Sequence, residues 1–242
     1  MITTPEYAQD QKTSEAAPAM GDVPATDARW ADGSIIKAFS KLSAELKVTV
    51  VFNVITEDDG KLYNTNIATD DTGKVVARHY KFQLFGGEDK QLTAGPNIEN
   101  SFFQTPAGLA GTMICADAQC IVTKLNVSPD CTAHSIQQLK DYFAKKPKII
   151  FFSAFWTVGG TGIWAALNVQ KQVAENGVWL VGSNNTKGDG KGGAIYKPGG
   201  EEVALLGGHR GELGAASGHG APEGAADGEA AAPVQGHGVG VG

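Results

Sequence analysis

One run of β-branched residues most limits how this chain can fold. Residues Val48 to Thr56 read Val-Thr-Val-Val-Phe-Asn-Val-Ile-Thr, which is almost continuously apolar. Such a run is typical of a strand that is covered on both faces, because a strand with one wet face alternates apolar and polar side chains. The sequence therefore predicts this strand in the middle of a sheet, with other layers packed against both of its faces.

Turn residues and helical spacing divide the remainder into further elements. Glycine-containing turns at Asp70–Gly73, Pro106–Gly108 and Pro198–Gly200 each separate two strand-like segments, which predicts three antiparallel hairpins. Apolar periodicity predicts helices at 35–46, 136–143 and 161–176 and further strands at 148–153 and 178–183. Hairpins mixed with β-helix-β units indicate an α/β fold in which sheets are layered and covered by helices.

The end of the chain has a different composition from the rest. From Gly207 to Gly242 it is almost entirely Gly, Ala, His, Pro and Glu, and after Leu213 its only larger apolar residues are valines. Such a segment cannot bury enough surface to offset the entropy lost on ordering. We therefore predict a folded domain at residues 1–206 and a disordered low-complexity tail at residues 207–242.

Charge and hydropathy exclude several classes of partner. Twenty Lys and Arg against 26 Asp and Glu give a formal charge of −6, with no basic cluster to neutralise a row of phosphates. No apolar run approaches the roughly 18 to 20 residues that a bilayer-spanning helix needs. The printed N-terminus also lacks the pattern of a secretory signal. We expect no nucleic-acid partner and no transmembrane segment, and composition does not decide the cellular compartment.

Three residues far apart in the chain are candidates for chemistry. Cys115 ends an apolar strand and is followed by Ala-Asp, a placement that suits a nucleophile at a sharp turn; the alternative is a buried structural cysteine. Lys81 ends the segment 75–81 and, taken alone, would be a solvated lysine at a strand end. Glu6, taken alone, would be a surface acid near a terminus.

Several segments around these residues match a known pattern in the same order. They are Ile2-Thr-Thr-Pro-Glu6, Gly73-Lys-Val-Val-Ala-Arg-His-Tyr-Lys81, Leu84-Phe-Gly-Gly-Glu88, Gly111-Thr-Met-Ile-Cys115-Ala-Asp117 and Phe151-Phe-Ser-Ala-Phe-Trp156. With these segments the chain resembles the nitrilase superfamily of carbon–nitrogen hydrolases, and within it the vanin and biotinidase branch. The resemblance covers roughly residues 1–206 and implies an incomplete α-β-β-α sandwich.

The resemblance implies a catalytic triad of Glu6, Lys81 and Cys115. In such a triad the Cys115 thiolate attacks an amide carbonyl, and Glu6 acts as general base and then returns the proton to the leaving amine. Lys81 and the Ala116 N–H stabilise the oxyanion, and water hydrolyses the thioester. A cationic lysine nearby also favours the thiolate form of the cysteine.

Two further residues have a place in the family pattern. Glu88 occupies the position of a second glutamate that orients the substrate or the lysine; the alternative is a solvated loop acid. Trp156 is a candidate for the wall of the substrate pocket; the alternative is a core aromatic. The implied chemistry uses no cofactor, and none is expected.

The remaining cysteines allow two interpretations. One interpretation is a zinc site formed by Cys115, Cys120, Cys131 and His134. Their spacing matches no common zinc finger, and no metal site is predicted. Alternatively, a disulfide between Cys120 and Cys131 closes the loop 121–130, which looks like an insertion relative to the family.

The implied activity is hydrolysis of a linear amide of a small vitamin-derived acid, such as pantetheine or a biotinyl amide. The competing hypothesis is an inactive nitrilase-like fragment that serves as a structural or binding subunit. It is motivated by the apparent absence of the family's first strand and helix and of its closing strand. An exposed sheet edge favours pairing with another chain, so we expect a homo-oligomer or a second chain covering the truncated sheet.

Overall fold

The structure, a computed structural model, describes residues 2–3, 33–120, 131–156, 169–184 and 192–205. The helices are α1 (Ser34–Leu46), α2 (Ala133–Ala144) and α3 (Val169–Asn176). The strands are β1 (Ile2–Thr3), β2 (Val50–Asp58), β3 (Lys61–Thr69), β4 (Val75–Tyr80), β5 (Phe102–Thr105), β6 (Gly108–Ile114), β7 (Ile149–Ser153), β8 (Trp179–Ser183), β9 (Ala194–Tyr196) and β10 (Glu202–Leu205). The predicted tail at 207–242 lies outside the described residues. No described helix is both long and apolar enough to cross a membrane.

The first sheet has the strand order β1-β2-β3-β4. β1 runs parallel to β2, and the pairs β2–β3 and β3–β4 are antiparallel. β2 thus lies between two neighbours, which confirms the central strand predicted from the run at 48–56. The predicted hairpin between β3 and β4 is also confirmed, with the Asp70 carboxylate accepting bonds from the backbone N–H groups of Thr72 and Lys74 at 2.9 and 3.0 Å.

The second sheet has the strand order β10-β9-β8-β7-β6-β5. Its three central strands, β6, β7 and β8, are parallel to one another, and the outer pairs are antiparallel. The two outer hairpins are those predicted at Pro106–Gly108 and Pro198–Gly200. Parallel strands need a crossover between them, and α2 supplies the one between β6 and β7.

The two sheets face each other and carry helices on their outer faces. Side chains alternate between the faces of a strand, so Val51 points to the second sheet while its neighbours Val50 and Phe52 pack against Ile36 of α1. The inner apolar cluster consists of Val51, Ala68, Ala77, Phe103, Ala110, Ile149 and Phe151. Residues of α2 and α3 cover the outer face of the second sheet in a third cluster. The predicted α-β-β-α sandwich is confirmed.

The inner face of the first sheet changes character along its strands. Two residues along each strand from the apolar cluster lies a row of three buried polar residues. They are Asn53, Asn66 and His79, which are paired across β2, β3 and β4. Thr112 on β6 is fully buried as well. This polar row lies toward the carboxyl ends of the parallel strands of the second sheet, where open α/β sheets commonly hold their ligand sites.

Candidate active site

Lys81 directly follows β4 and continues the buried side of that strand beyond Ala77 and His79. Its side chain is only 2% exposed, so the solvated alternative is wrong. The Nζ atom donates a hydrogen bond to Glu88 Oε1 at 2.9 Å and lies 2.9 Å from Oε2. A buried ammonium group is tolerated only when such a partner compensates for its lost hydration. The lysine and the second glutamate of the motif therefore form one buried ion pair.

Glu88 is held by groups from several segments. The Phe85 N–H donates to its Oε2 at 2.8 Å, and the Asn64 amide donates to its Oε1 at 3.2 Å. Gly87, at a φ of 94°, makes the left-handed turn that begins the short 3-10 helix Glu88–Lys90. The interpretation of Glu88 as a solvated loop acid is wrong, because its carboxylate is committed to this cluster.

Cys115 stands where β6 ends and the chain turns sharply. Its φ of 42° lies in the left-handed region, which few residues other than glycine adopt, and it opens the 3-10 helix Cys115–Cys120. The residue is 6% exposed and is not part of a disulfide. Ala116, the candidate oxyanion donor, follows it and is 1% exposed. The sharp turn predicted at this cysteine is present.

Asp117 joins the cysteine turn to the lysine segment. Its Oδ2 accepts hydrogen bonds from the Ile114 N–H at 3.0 Å and pairs with His79 Nε2 at 2.7 Å. Its Oδ1 accepts from the backbone N–H groups of Phe82 and Gln83 at 3.0 and 2.9 Å. One carboxylate thus binds the backbone just before the nucleophile candidate and just after the lysine.

His79 extends this connection to a third element. Its Nδ1 lies 2.8 Å from Ser101 Oγ, in the short helix that leads into β5. Ser101, His79 and Asp117 have the composition of a serine hydrolase triad, but the ring nitrogens are used the other way round from the usual arrangement. All three are no more than 1% exposed. A substrate cannot reach this serine, so the trio is a structural connection.

Asparagines carry a second connection between the sheets. The Asn66 amide donates to Thr112 Oγ1 at 2.7 Å and to the Met113 carbonyl at 3.0 Å, both on β6. The Asn53 amide donates to Asn66 Oδ1 at 3.1 Å and to Asn64 Oδ1 at 2.7 Å. Since Asn64 also binds the glutamate of the ion pair, the network runs from that pair to the strand that ends at the cysteine.

Trp156 lies in the same apolar cluster as Cys115 and is 7% exposed. Its ring packs against Phe152, with the ring centroids 5.5 Å apart. Asn184 holds its backbone by accepting from the Trp156 N–H at 2.7 Å and donating to its carbonyl at 3.2 Å. The tryptophan is therefore a well-anchored part of the apolar core.

Glu6, the third residue of the predicted triad, lies outside the described residues. The nearest described element is β1, in which Thr3 pairs with Val51, two residues before Asn53. Because β1 and β2 are parallel, β1 runs toward the polar end of the first sheet.

The other cysteines do not form the zinc site considered above. Cys131 is disulfide-bonded, and a disulfide sulfur is not a thiolate ligand. His134 pairs instead with the Gly95 carbonyl, 3.1 Å from its Nε2. Across the described ranges, no three His, Cys, Asp or Glu side chains are grouped so as to hold a metal ion.

The sequence interpretation missed the residues that connect the site. Asp117 and His79 lie inside the motif segments that carry the resemblance, and Asn64 lies in β3, but the sequence pattern predicts no role for them. A signal was present for one of them: Ala77, His79 and Lys81 continue a period of two, which places polar groups on the buried side of β4.

Comparison with known proteins supports the same relationship. The profile of the carbon–nitrogen hydrolase family matches residues 2–213. The chain is 42% identical over 64 residues to symplectin of Sthenoteuthis oualaniensis and 42% identical over 60 residues to pantetheinase of Mus musculus. It is 26% identical over 154 residues to the hydrolase in the agr operon of Staphylococcus lugdunensis. These matches cover 26%, 24% and 62% of this chain but 13%, 12% and 58% of the respective relatives.

Solved structures share the fold. An amidase from Nesterenkonia sp. superposes with a TM-score of 0.58 at 17% identity, over 73% of this chain and 63% of that one. A cysteine-to-alanine variant of the Nesterenkonia AN1 amidase, from the nitrilase superfamily, gives a TM-score of 0.62 at 16% identity, over 87% and 74%. The symplectin and pantetheinase segments support the vanin and biotinidase branch. Because the family profile spans most of the sequence and the sandwich is shared, the chain belongs to the carbon–nitrogen hydrolase family of the nitrilase superfamily.

Proposed function

We propose that this chain is an amidase that cleaves a linear carbon–nitrogen bond through a thioester on Cys115. The observation that carries the proposal is the buried Lys81–Glu88 pair, which Asp117 connects to the strained turn at Cys115. In the first step the thiolate adds to the amide carbonyl and the carbon–nitrogen bond breaks, so the amine leaves with a proton. In the second step water cleaves the thioester, which releases the acid and restores the thiol.

Lys81 supplies positive charge for the oxyanion in both steps. Its ammonium is nearly inaccessible to water, and in such an environment a charge stabilises a developing oxyanion more strongly than it would in solvent. Glu88 orients the ammonium through its two oxygens, each 2.9 Å from the nitrogen. The Ala116 N–H is the second proposed donor to the oxyanion.

Glu6 is proposed as the general base that takes the thiol proton and returns it to the leaving amine. Two observations support this role. The segment Ile2–Glu6 matches the glutamate motif of the family, and β1 runs toward the end of the sheet where Asn53 and the Lys81 pair lie.

Similar proteins support the nucleophile and suggest the substrate. In a structure of a glutamate-to-glutamine mutant of the Nesterenkonia sp. AN1 amidase, the acetamide moiety of fluoroacetamide is attached to the active-site cysteine. The segment similar to pantetheinase leads us to propose pantetheine or a related vitamin-derived amide, such as a biotinyl amide, as the substrate. Trp156, which belongs to the same apolar cluster as Cys115, is proposed as one wall of the acyl pocket.

The test compares release of amine by the full chain, by two site variants and by one control variant. Cys115→Ala and Lys81→Met are expected to lower kcat/KM on pantetheine, biotinyl amide or a short aliphatic amide by about 10³-fold or more. Lys90→Met is the matched control, because Lys90 is an exposed lysine two residues after Glu88 and is expected to leave the rate within about twofold. Unchanged hydrolysis by Cys115→Ala would disprove the mechanism.

The low exposure of Cys115 favours one competing proposal, a non-catalytic binding subunit. A thiol-directed amide probe separates the two, because an enzyme with an activated cysteine displaces the fluoride of fluoroacetamide and is alkylated preferentially on this residue. Mass spectrometry that finds no label on Cys115 after incubation with fluoroacetamide, while the chain is folded, would favour the binding subunit.

A further inference from the structure

The Asp117 carboxylate is placed unlike any other acid in the described part of the chain. It is fully buried, and each of its oxygens has two partners. Three of the four partners are backbone N–H groups, at Phe82, Gln83 and Ile114. A carboxylate offers about four acceptor sites, so none remains for a substrate. Asp117 therefore acts on the reaction only through what it holds.

What it holds are the two chain segments that carry the proposed catalytic groups. The N–H groups of Phe82 and Gln83 follow Lys81 directly, and the N–H of Ile114 precedes Cys115 directly. These segments belong to different sheets, and β4 and β6 are not hydrogen-bonded neighbours. Bonds from backbone N–H groups to a carboxylate are charge-assisted, so the positions of the two segments are coupled through one rigid group.

We infer that Asp117 is a positioning residue that sets the separation between the Lys81 ammonium and the Cys115 sulfur, an inference that rests on the proposed function. His79 is part of the same hydrogen-bond network, because it pairs with both Asp117 and Ser101. It thereby connects the carboxylate to the start of β5. An error of about 1 Å in the placement of catalytic groups costs on the order of 10²-fold in rate. That figure is the size of effect the inference predicts.

The test replaces Asp117 with Asn, which keeps the size of the side chain. The amide places an NH₂ group where one carboxylate oxygen was. In either orientation this group faces backbone N–H donors and cannot accept from them, so at least one of the two segments loses its bond. We expect kcat on the amide substrate to fall by about 10²-fold with KM changed by less than about threefold, because ground-state binding does not use the coupling. The rate at which iodoacetamide alkylates Cys115 in the folded protein is expected to change as well.

Asp58→Asn is the matched control. Asp58 also binds β4, because its carboxylate accepts hydrogen bonds from Tyr80 Oη at 2.7 Å and from Arg78 Nη1 at 3.3 Å. These two residues alternate with His79 on the strand. If loss of a β4 anchor were enough to lower activity, this variant would do so too. We expect it to lower the melting temperature without changing the alkylation rate or kcat.

A second pair keeps the inference testable if Asp117→Asn does not fold. His79→Gln retains an N–H donor for Asp117, whereas His79→Ala removes it. We expect alkylation and turnover to fall by about tenfold in His79→Ala and to return to within about threefold of the parent rate in His79→Gln.

The inference is overturned if folded Asp117→Asn matches the parent chain in both readouts, or if Asp58→Asn shows the same losses. Where Asp117→Asn does not fold, equal rates for both His79 variants overturn it. Absence of amide turnover in the parent chain would instead refute the proposed function, and the alkylation rates would still decide the role of Asp117.

Discussion

The two ends of the space between the sheets are built from the same strands but differ in the polarity of their buried side chains. At one end Val51, Ala77 and Phe151 meet in an apolar cluster. Two residues further along each strand of the first sheet, a distance of about 7 Å, the inner positions are polar, as with Asn53 and His79. Both ends are equally buried. Burial alone therefore does not distinguish the core from the candidate site.

The difference lies in how the buried groups are satisfied. The apolar end gains stability from surface removed from water and tolerates any packing that fills the space. At the polar end each donor needs an acceptor at a fixed distance, so the groups specify one another's positions. Asp117 and Asn66 show this directly, because each has partners on both sheets or on both motif segments. A scaffold of this second kind is suited to holding catalytic groups.

The largest effect on stability is expected from Phe151→Ala at the apolar end. Phe151 is fully buried and stacks on Phe103, with the ring centroids 5.9 Å apart. The free energy of unfolding, measured by urea titration, is expected to fall by about 3 to 5 kcal/mol. Phe151→Leu is the control and should cost about half as much. In the fraction that stays folded, a changed alkylation rate of Cys115 would contradict the separation of the two ends.

A smaller loss of stability with a larger loss of function is expected from Asn66→Ala. The substitution removes the bonds to Thr112 Oγ1 and the Met113 carbonyl and leaves the Asn53 amide without one acceptor. Unfolding free energy is expected to fall by about 1 to 3 kcal/mol, and amide turnover should drop more than it does in Phe151→Leu. If the two variants lose turnover in proportion to their lost stability, the polar end has no special role.

The smallest effect at neutral pH is expected from Tyr142→Phe, which tests an unpaired polar group. Among the described residues the Tyr142 hydroxyl has no hydrogen-bond partner, although it is fully buried. Removing it is expected to change the unfolding free energy at pH 7 by less than about 1 kcal/mol, and in the stabilising direction. A loss greater than that would indicate a hidden partner.

The same tyrosine predicts a dependence on alkaline pH. Burial, with a further contribution from the charge of Asp117, raises the pKa of Tyr142 well above its ordinary value of about 10. The folded protein then holds this proton more tightly than the unfolded chain, so the contribution to stability is complete below pH about 10 and is lost as the pH rises further. Urea titrations on both sides of pH 10 should show a weaker alkaline decline in Tyr142→Phe than in the parent chain.

Local patterns predicted most elements of the sandwich. The apolar run at 48–56 became a central strand, and the turn at Asp70–Gly73 joined two strands, because both signals act within a few residues of the chain. The family resemblance also associated Lys81 with Glu88, and the structure joins them. The bond between His79 and Asp117 was not predictable in this way, because its partners are 38 residues apart and no periodicity relates them.

The sequence by itself determined which segments are strands, where they turn and which residues carry reactive groups, because these depend on side-chain pattern and on backbone preference at single turns. Only the tertiary structure decided that one carboxylate would hold the segments of Lys81 and Cys115 together and that a row of asparagines would join the sheets. The physical reason is that a buried hydrogen bond depends on the meeting of two distant strands at one register, and register is set by the packing of the whole sandwich.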